Sequence, residues 1–237
     1  MKKRPFSVVA ILVLFVGGMA LSVRAESWSD QDLEAALQIE FMRGHLISMV
    51  ETGKLGRWPQ AKLHAGHPRA EHFSKLPAVF RDTDLGTTLR RALEQLRTTG
   101  GRDGVAAEKA SELLTRAYDV FVPAAARQST QFRSILLAGL LKEVAEEYEE
   151  AVGAGKVKSI TEYQDAYGFF QRALLLKEGL EASLTGEESV RLDGVVRTLQ
   201  RAFRSVRAPL TPMPNEEVAE AVKIAVRLIE ERVARKP

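Results

Sequence analysis

All four histidines of this 237-residue chain fall within 28 residues: His45, His64, His67 and His72, with Glu71 among them. Imidazole and carboxylate donors suit zinc, iron, nickel and copper. His64-x-x-His67 precedes Pro68, and Glu71 follows one helical turn later. Met42 and Met49 stand three and four residues from His45, so on a helix the three share a face. Added thioether ligation would tilt the choice of ion towards copper. The expected metal ligands are therefore His45, His64, His67 and Glu71, with Met42 and Met49 as accessory donors. A plain structural reading stands beside this one. Helical methionines commonly fill cores, His67 would serve as the N-cap of a helix opened by Pro68, and His72 would be solvated. Non-covalent haem held by His45 and a methionine is compatible with a helical scaffold, but no residue selects it.

A second set of donors lies in the acidic run Glu143, Glu146, Glu147, Glu149 and Glu150. Most of the run reads as a solvated helix face. Glu147 and Glu162, however, border apolar stripes, and each precedes a tyrosine. They are the secondary metal candidates, suited to hard, oxygen-preferring cations. Glu162 also reads as the capping-box partner of Ser159.

The elements that must position these residues are helical almost throughout, because apolar residues recur at three and four. Ser29 with Asp32 opens a helix that runs to about Thr52. A short helix is expected from Pro59 to about Gly66, and another from Pro68 to about Pro77. Leu85 to Leu96 forms the next, and the glycine-rich stretch at 100–104 breaks the chain. Longer helices follow: 105–122, 129–152, one capped by Ser159, one capped by Thr185 and Glu188, and one from 216 to 234 capped by Asn215. Leu137, Leu141, Val144 and Tyr148 form one apolar stripe; Tyr163, Tyr167, Phe170 and Leu174 form the next. No alternating strand signal is present. The expected fold is all-α: a helical N-terminal part over 26–100 carrying the histidines, and a helical bundle over 105–237. Whether the two share one core is left open.

Lys2, Lys3 and Arg4 precede a 17-residue apolar run from Phe6 to Ser22, and Val23-Arg24-Ala25 has the short residues of a cleavage site. The run is short against the ~20 residues of a membrane span, so residues 1–25 read as a signal peptide and the address as periplasmic or secreted. Intact-mass analysis of the exported protein should give a chain beginning at Glu26; retention of Met1 in the membrane fraction would show an anchor instead. Cleavage also removes Lys2, Lys3, Arg4 and Arg24, so the 34 basic residues fall to 30 against 31 acidic ones. No overall basic field then remains for nucleic acid or anionic membranes. No later stretch is apolar enough to span a bilayer. The chain has no cysteine, which excludes disulfides, c-type haem attachment and iron–sulfur ligation. Neither a G-x-S-x-G elbow nor a phosphate-binding glycine loop occurs, so no enzyme is expected.

Glu147-Tyr148-Glu149-Glu150-Ala151-Val152-Gly153-Ala154-Gly155-Lys156-Val157, followed by Glu162-Tyr163-Gln164-Asp165, resembles the extracytoplasmic helical region of bacterial high-affinity iron permeases, where E-Y-x-x-A-V-x-x-G-x-V…E-Y-x-E/D recurs. The resemblance covers roughly residues 140–180. It implies a helical module outside the cytoplasm that supports uptake of a metal, iron or copper, beside a membrane uptake component. Gly44-His45-Leu46 and His64-x-x-His67-Pro68-x-x-Glu71 are similar to segments of exported bacterial proteins of no assigned activity. The leading expectation is a periplasmic, non-enzymatic metal-binding protein. Its rivals are a metal-free interaction module and a hydrolytic metal centre built on the histidines.

Overall fold

The computed structural model describes residues 28–235, so the expected signal segment lies outside the described residues. The fold is all-α. Helix α1 (Asp30–Lys54) is opened by a capping box in which Ser29 accepts from the Asp32 backbone and Asp32 accepts from Ser29. Helix α2 (Trp58–His67) packs against it and does not end before Pro68. It runs on into a π-helical turn (Pro68–His72) and a 3₁₀ turn (Phe73–Lys75). Proline has no N–H to donate and its ring crowds the preceding turn. The chain answers by widening the turn, with the Phe73 N–H donating to Pro68 O. The break expected between two short helices is therefore a continuous helical path, and His67 caps nothing with its side chain.

The short α3 (Ala78–Arg81), α4 (Asp84–Thr99) and α5 (Gly104–Phe121) complete the N-terminal part. Leu89, Leu93 and Leu96 of α4 meet Leu113 and Leu114 of α5 over Ile39 and Met42 of α1. After α6 (Ala124–Gln128), helices α7 (Thr130–Ala151), α8 (Ile160–Glu178), α9 (Gly186–Ala202) and α10 (Asn215–Arg235) form a bundle. Its core holds Leu137, Leu141, Val144, Tyr148, Tyr163 and Phe170, as their spacing requires. Tyr167 and Leu174, expected in the same stripe, lie at its edge. The buried tyrosines keep their hydroxyls satisfied: Tyr148 donates to Met213 O and Tyr163 to Ala202 O, each at 2.9 Å. Two small differences from expectation appear. Val152–Gly153 and Lys156–Val157 pair as a two-residue antiparallel ladder between α7 and α8. Asn215 does not cap α10; its amide donates to Val152 O instead.

Helix α1 contributes to both regions. Met42 and Met49 enter the N-terminal cluster, while Phe41 enters the bundle core. Its crossing with α8 is close because Gly44 and Gly168 face each other there, and Ser48 Oγ donates to Gln164 O at 2.6 Å. A Cβ on Gly168 would come well inside 3.0 Å of the Gly44 carbonyl and the Ser48 hydroxyl. Gly168→Ala should therefore force the helices apart and cost about 1–3 kcal/mol, read as a lower urea midpoint. An unchanged midpoint would show that the crossing has room to spare.

Candidate metal centre

The site lies where α1, α2, the π turn and α8 meet. His45 points from the middle of α1, His64 and His67 from the end of α2, and His72 from the end of the π turn. On an ordinary helix, five residues from His67 to His72 make roughly 1.4 turns, which would separate the two rings. The π turn, with its i→i+5 bonding, brings residues five apart back to the same side. His72, expected in solvent, is instead 2% exposed.

The partner that gathers the rings is Asp165, in the second turn of α8. His45 Nδ1 donates to Asp165 Oδ1 at 2.6 Å and His64 Nδ1 to the same oxygen at 2.8 Å. His67 Nδ1 lies 3.0 Å from Oδ2, but the two are not aligned for a hydrogen bond. Both atoms are buried without a hydrogen-bond partner. Buried polar atoms are rarely left so, and these two face each other in ion-pair contact without an aligned hydrogen bond.

Neighbouring amides fix the direction of the rings. Gln164 Nε2 donates to Val206 O at 3.4 Å, leaving Oε1 to accept from His64 Nε2 at 2.9 Å. Gln38 Nε2 donates to Glu34 at 2.8 Å, leaving Oε1 to accept from His72 Nδ1 at 2.9 Å. His72 Nε2 is then a bare lone pair, 2.9 Å from His45 Nε2. Anchoring one ring nitrogen so that the other presents its lone pair is how proteins orient metal-binding histidines. His64 and His45 each have acceptors at both nitrogens, so each ring either carries two protons or gives one of those places to a cation.

The electrostatics follow from this geometry. Burial alone would raise Asp165, but the attraction of His45, its hydrogen bonds with His45 and His64 and the close approach of His67 hold it well below the usual carboxylate range. Burial, reinforced by His45 and Lys75, pushes His72 down to about 2. Burial opposes protonation of His67 as well, but its close contact with and attraction by Asp165, with Glu71 and Glu162 behind it, raise that ring above 6.5.

The sequence-derived residues are placed as follows. His45, His64 and His67 converge with Asp165, one ligand atom of each lying within 4.8 Å of the others. Glu71, half-exposed, converges instead with His45 and His72, its Oε2 lying 3.7 and 3.9 Å from their Nε2 atoms. Met42 and Met49 pack in the apolar cluster, the Met49 sulfur against Gly101. Glu147 and Glu162 meet Asp165. Ser159 Oγ accepts from the Glu162 N–H, but Glu162 returns no side-chain bond, so its carboxylate is free of the capping role expected for it. Burial and the charges of Asp165, Glu162 and Glu143 push Glu147 up to about 10. Sequence reading did not choose Asp165, Gln164 or Gln38. The available signal was that Gln164 and Asp165 stand beside Tyr163 and Ala166 on the buried stretch of α8.

Glu147, Glu162 and Asp165 are the acidic positions of the E-Y…E-Y-x-D pattern, here brought together in space by α7 and α8. Residues 123–236 match the iron permease-associated 4-helix bundle domain. The match takes in α6 to α10, with α7 to α10 as the bundle. The matched segment thus supplies Asp165, Gln164, Glu147 and Glu162, while all four histidines and Glu71 come from the helices before it. No curated protein and no solved structure matches the chain. Among the described residues no helix is long and apolar enough to cross a membrane.

Proposed function

We propose that this protein binds a transition-metal ion, iron by preference, through His45, His64, His67 and Asp165, and serves iron uptake outside the cytoplasm beside a membrane permease. One observation carries the reading: three imidazoles turn their Nδ1 atoms onto one buried carboxylate, and two of the atoms so gathered have no other partner. Ligand atoms around one tetrahedral ion at ~2.0–2.1 Å stand roughly 3.3 Å apart. The present separations of 2.6, 2.8 and 3.0 Å need open only slightly. The nitrogen and oxygen donors, with the methionine sulfurs serving the apolar core, speak against copper(I), and the preference for iron rests on the setting. The match of the bundle to an iron permease-associated domain supports the biological setting, and the signal-like N-terminus supports export.

The metal-free alternative treats the cluster as a polar core holding α1 and α2 to the bundle. That reading makes His67 and Asp165 an ion pair at 3.0 Å, but leaves both atoms without an aligned hydrogen bond. Calorimetric titration with ferrous iron under anaerobic conditions, and with zinc and copper, separates the two. His45→Ala and His64→Ala should each weaken binding at least tenfold. Free metal a hundredfold above its dissociation constant should stabilise the wild type by ~2.7 kcal/mol. If both variants bind as the wild type does, the ion lies elsewhere.

A further inference from the structure

Asp165 belongs to two groups of donors. Besides the histidines, it meets Glu147 from the end of α7 and Glu162 from the first turn of α8, one carboxylate oxygen of each lying within 4.8 Å of the others. Three carboxylates held this close repel one another unless a proton or a cation lies among them. Among the described residues, neither Glu147 nor Glu162 forms an ion pair with a lysine or arginine, although other half-buried and buried acids of this chain do. Glu40 is held by Arg43 and Arg172, and Glu188 by Arg232. Asp165 supplies the independent observation. It is fully buried, its Oδ1 is taken by His45 and His64, and its Oδ2 lies 3.0 Å from His67 Nδ1 with no aligned hydrogen bond. The carboxylate that completes the acidic trio is therefore one whose hydrogen-bonding capacity is unfilled.

We propose that the centre is dinuclear, with Asp165 bridging the cation on the histidine side and a second cation held by Glu147, Glu162 and Asp165. This rests on the histidine centre proposed above and adds a position of different chemistry. The first is nitrogen-rich and suits ferrous iron or zinc; the second is all oxygen and suits hard cations such as manganese(II), magnesium or ferric iron. The two positions also differ in access. Asp165, His45 and His64 are closed off from solvent, whereas Glu147 and Glu162 are half-buried and Glu71 and Glu143 stand nearby. An acidic rim concentrates cations at its mouth, so the oxygen position is the first an arriving ion meets, and Asp165 is the ligand common to both positions.

Manganese(II) alone is the probe. The purified mature chain is dialysed to equilibrium, its manganese measured by mass spectrometry and its electron paramagnetic resonance spectrum recorded. The wild type should hold two ions per chain with an exchange-coupled spectrum. Glu147→Gln with Glu162→Gln should hold one ion with an uncoupled six-line spectrum, and its circular dichroism should be unchanged because the substitutions remove like-charge repulsion. A wild type holding two ions with no coupling overturns the bridge without recourse to any variant. A wild type holding one ion, lost in His45→Ala and His64→Ala but kept in the double glutamine variant, overturns the second position and leaves the histidine centre standing. One ion lost only in the glutamine variant overturns both.

Discussion

Replacing Asp165 with asparagine is expected to weaken metal binding at least a hundredfold and to destabilise the metal-free protein by about 3 kcal/mol near pH 6. Three imidazole nitrogens converge on this one carboxylate, within 2.6 to 3.0 Å and away from solvent. Removing the anionic member of a buried ion pair leaves its partners charged and uncompensated, which costs about 3–5 kcal/mol. The asparagine amide also presents N–H donors where ring N–H donors already point. Asp193 is a fair control: it pairs with Lys177 at 2.6 Å but is far more exposed, and its asparagine variant should lose less than about 1 kcal/mol. Chemical denaturation of both variants, with calorimetry for the metal, decides the matter. Equal losses for the two variants would mean that Asp165 organises nothing.

The second large effect is on acid stability. His72 is held neutral in the fold, its ring lowered to about 2 by burial, while in the unfolded chain it titrates near ~6.5. Below pH ~6.5 the unfolded state therefore binds a proton that the folded state refuses, and stability falls with pH. The slope from this ring approaches about 1.4 kcal/mol per pH unit. His67 acts in the other direction and in another window. Its raised value gives stability that is present below ~6.5 and lost as pH rises through the folded value. Asp165, held low, contributes above its unfolded value near 3.8 and loses that contribution only in stronger acid. The metal-free protein should thus be most stable near pH 6–7. Comparing urea midpoints at pH 6 and pH 5, His72→Gln should flatten the wild-type decline, since glutamine can still donate to Gln38 without titrating. The same decline in both proteins would place the acid sensitivity elsewhere.

The long helices were legible because their physics is local. Leu137, Leu141, Val144 and Tyr148 repeat at helical spacing, and the Ser29–Asp32 and Thr185–Glu188 pairs are capping boxes written in the sequence. His45, His64 and His67 stood out as candidate donors by residue type and proximity, and their rings converge on Asp165. Two things were not local. The π turn at Pro68 shifts the face of everything after it, so His72 could not be placed from α-helical spacing. Asp165 sits far along the chain on a helix whose tyrosines and phenylalanines suggested only a core. What makes it the hub is the close approach of α8 to α1 at Gly168 and Gly44, a tertiary fact that periodicity does not carry. Glu71 shows the same limit: one turn from His67 in sequence, it faces His45 and His72 rather than the Asp165 oxygens.

An ion at this centre would join the N-terminal helices to the bundle. The histidines belong to α1, α2 and the π turn, and Asp165, Glu147 and Glu162 belong to the bundle that matches the iron permease-associated domain. Loading would then pin the N-terminal helices to the bundle, and the amides of α1 and α2 should exchange more slowly with solvent deuterium when metal is present.

The most direct test is a crystal structure of the chain grown with ferrous iron under anaerobic conditions, with anomalous differences recorded on both sides of the iron edge. The account predicts an iron peak about 2.0–2.2 Å from nitrogens of His45, His64 and His67 and from a carboxylate oxygen of Asp165. Iron bound away from these four side chains, or fully ordered side chains with no iron among them at saturating metal, would contradict it.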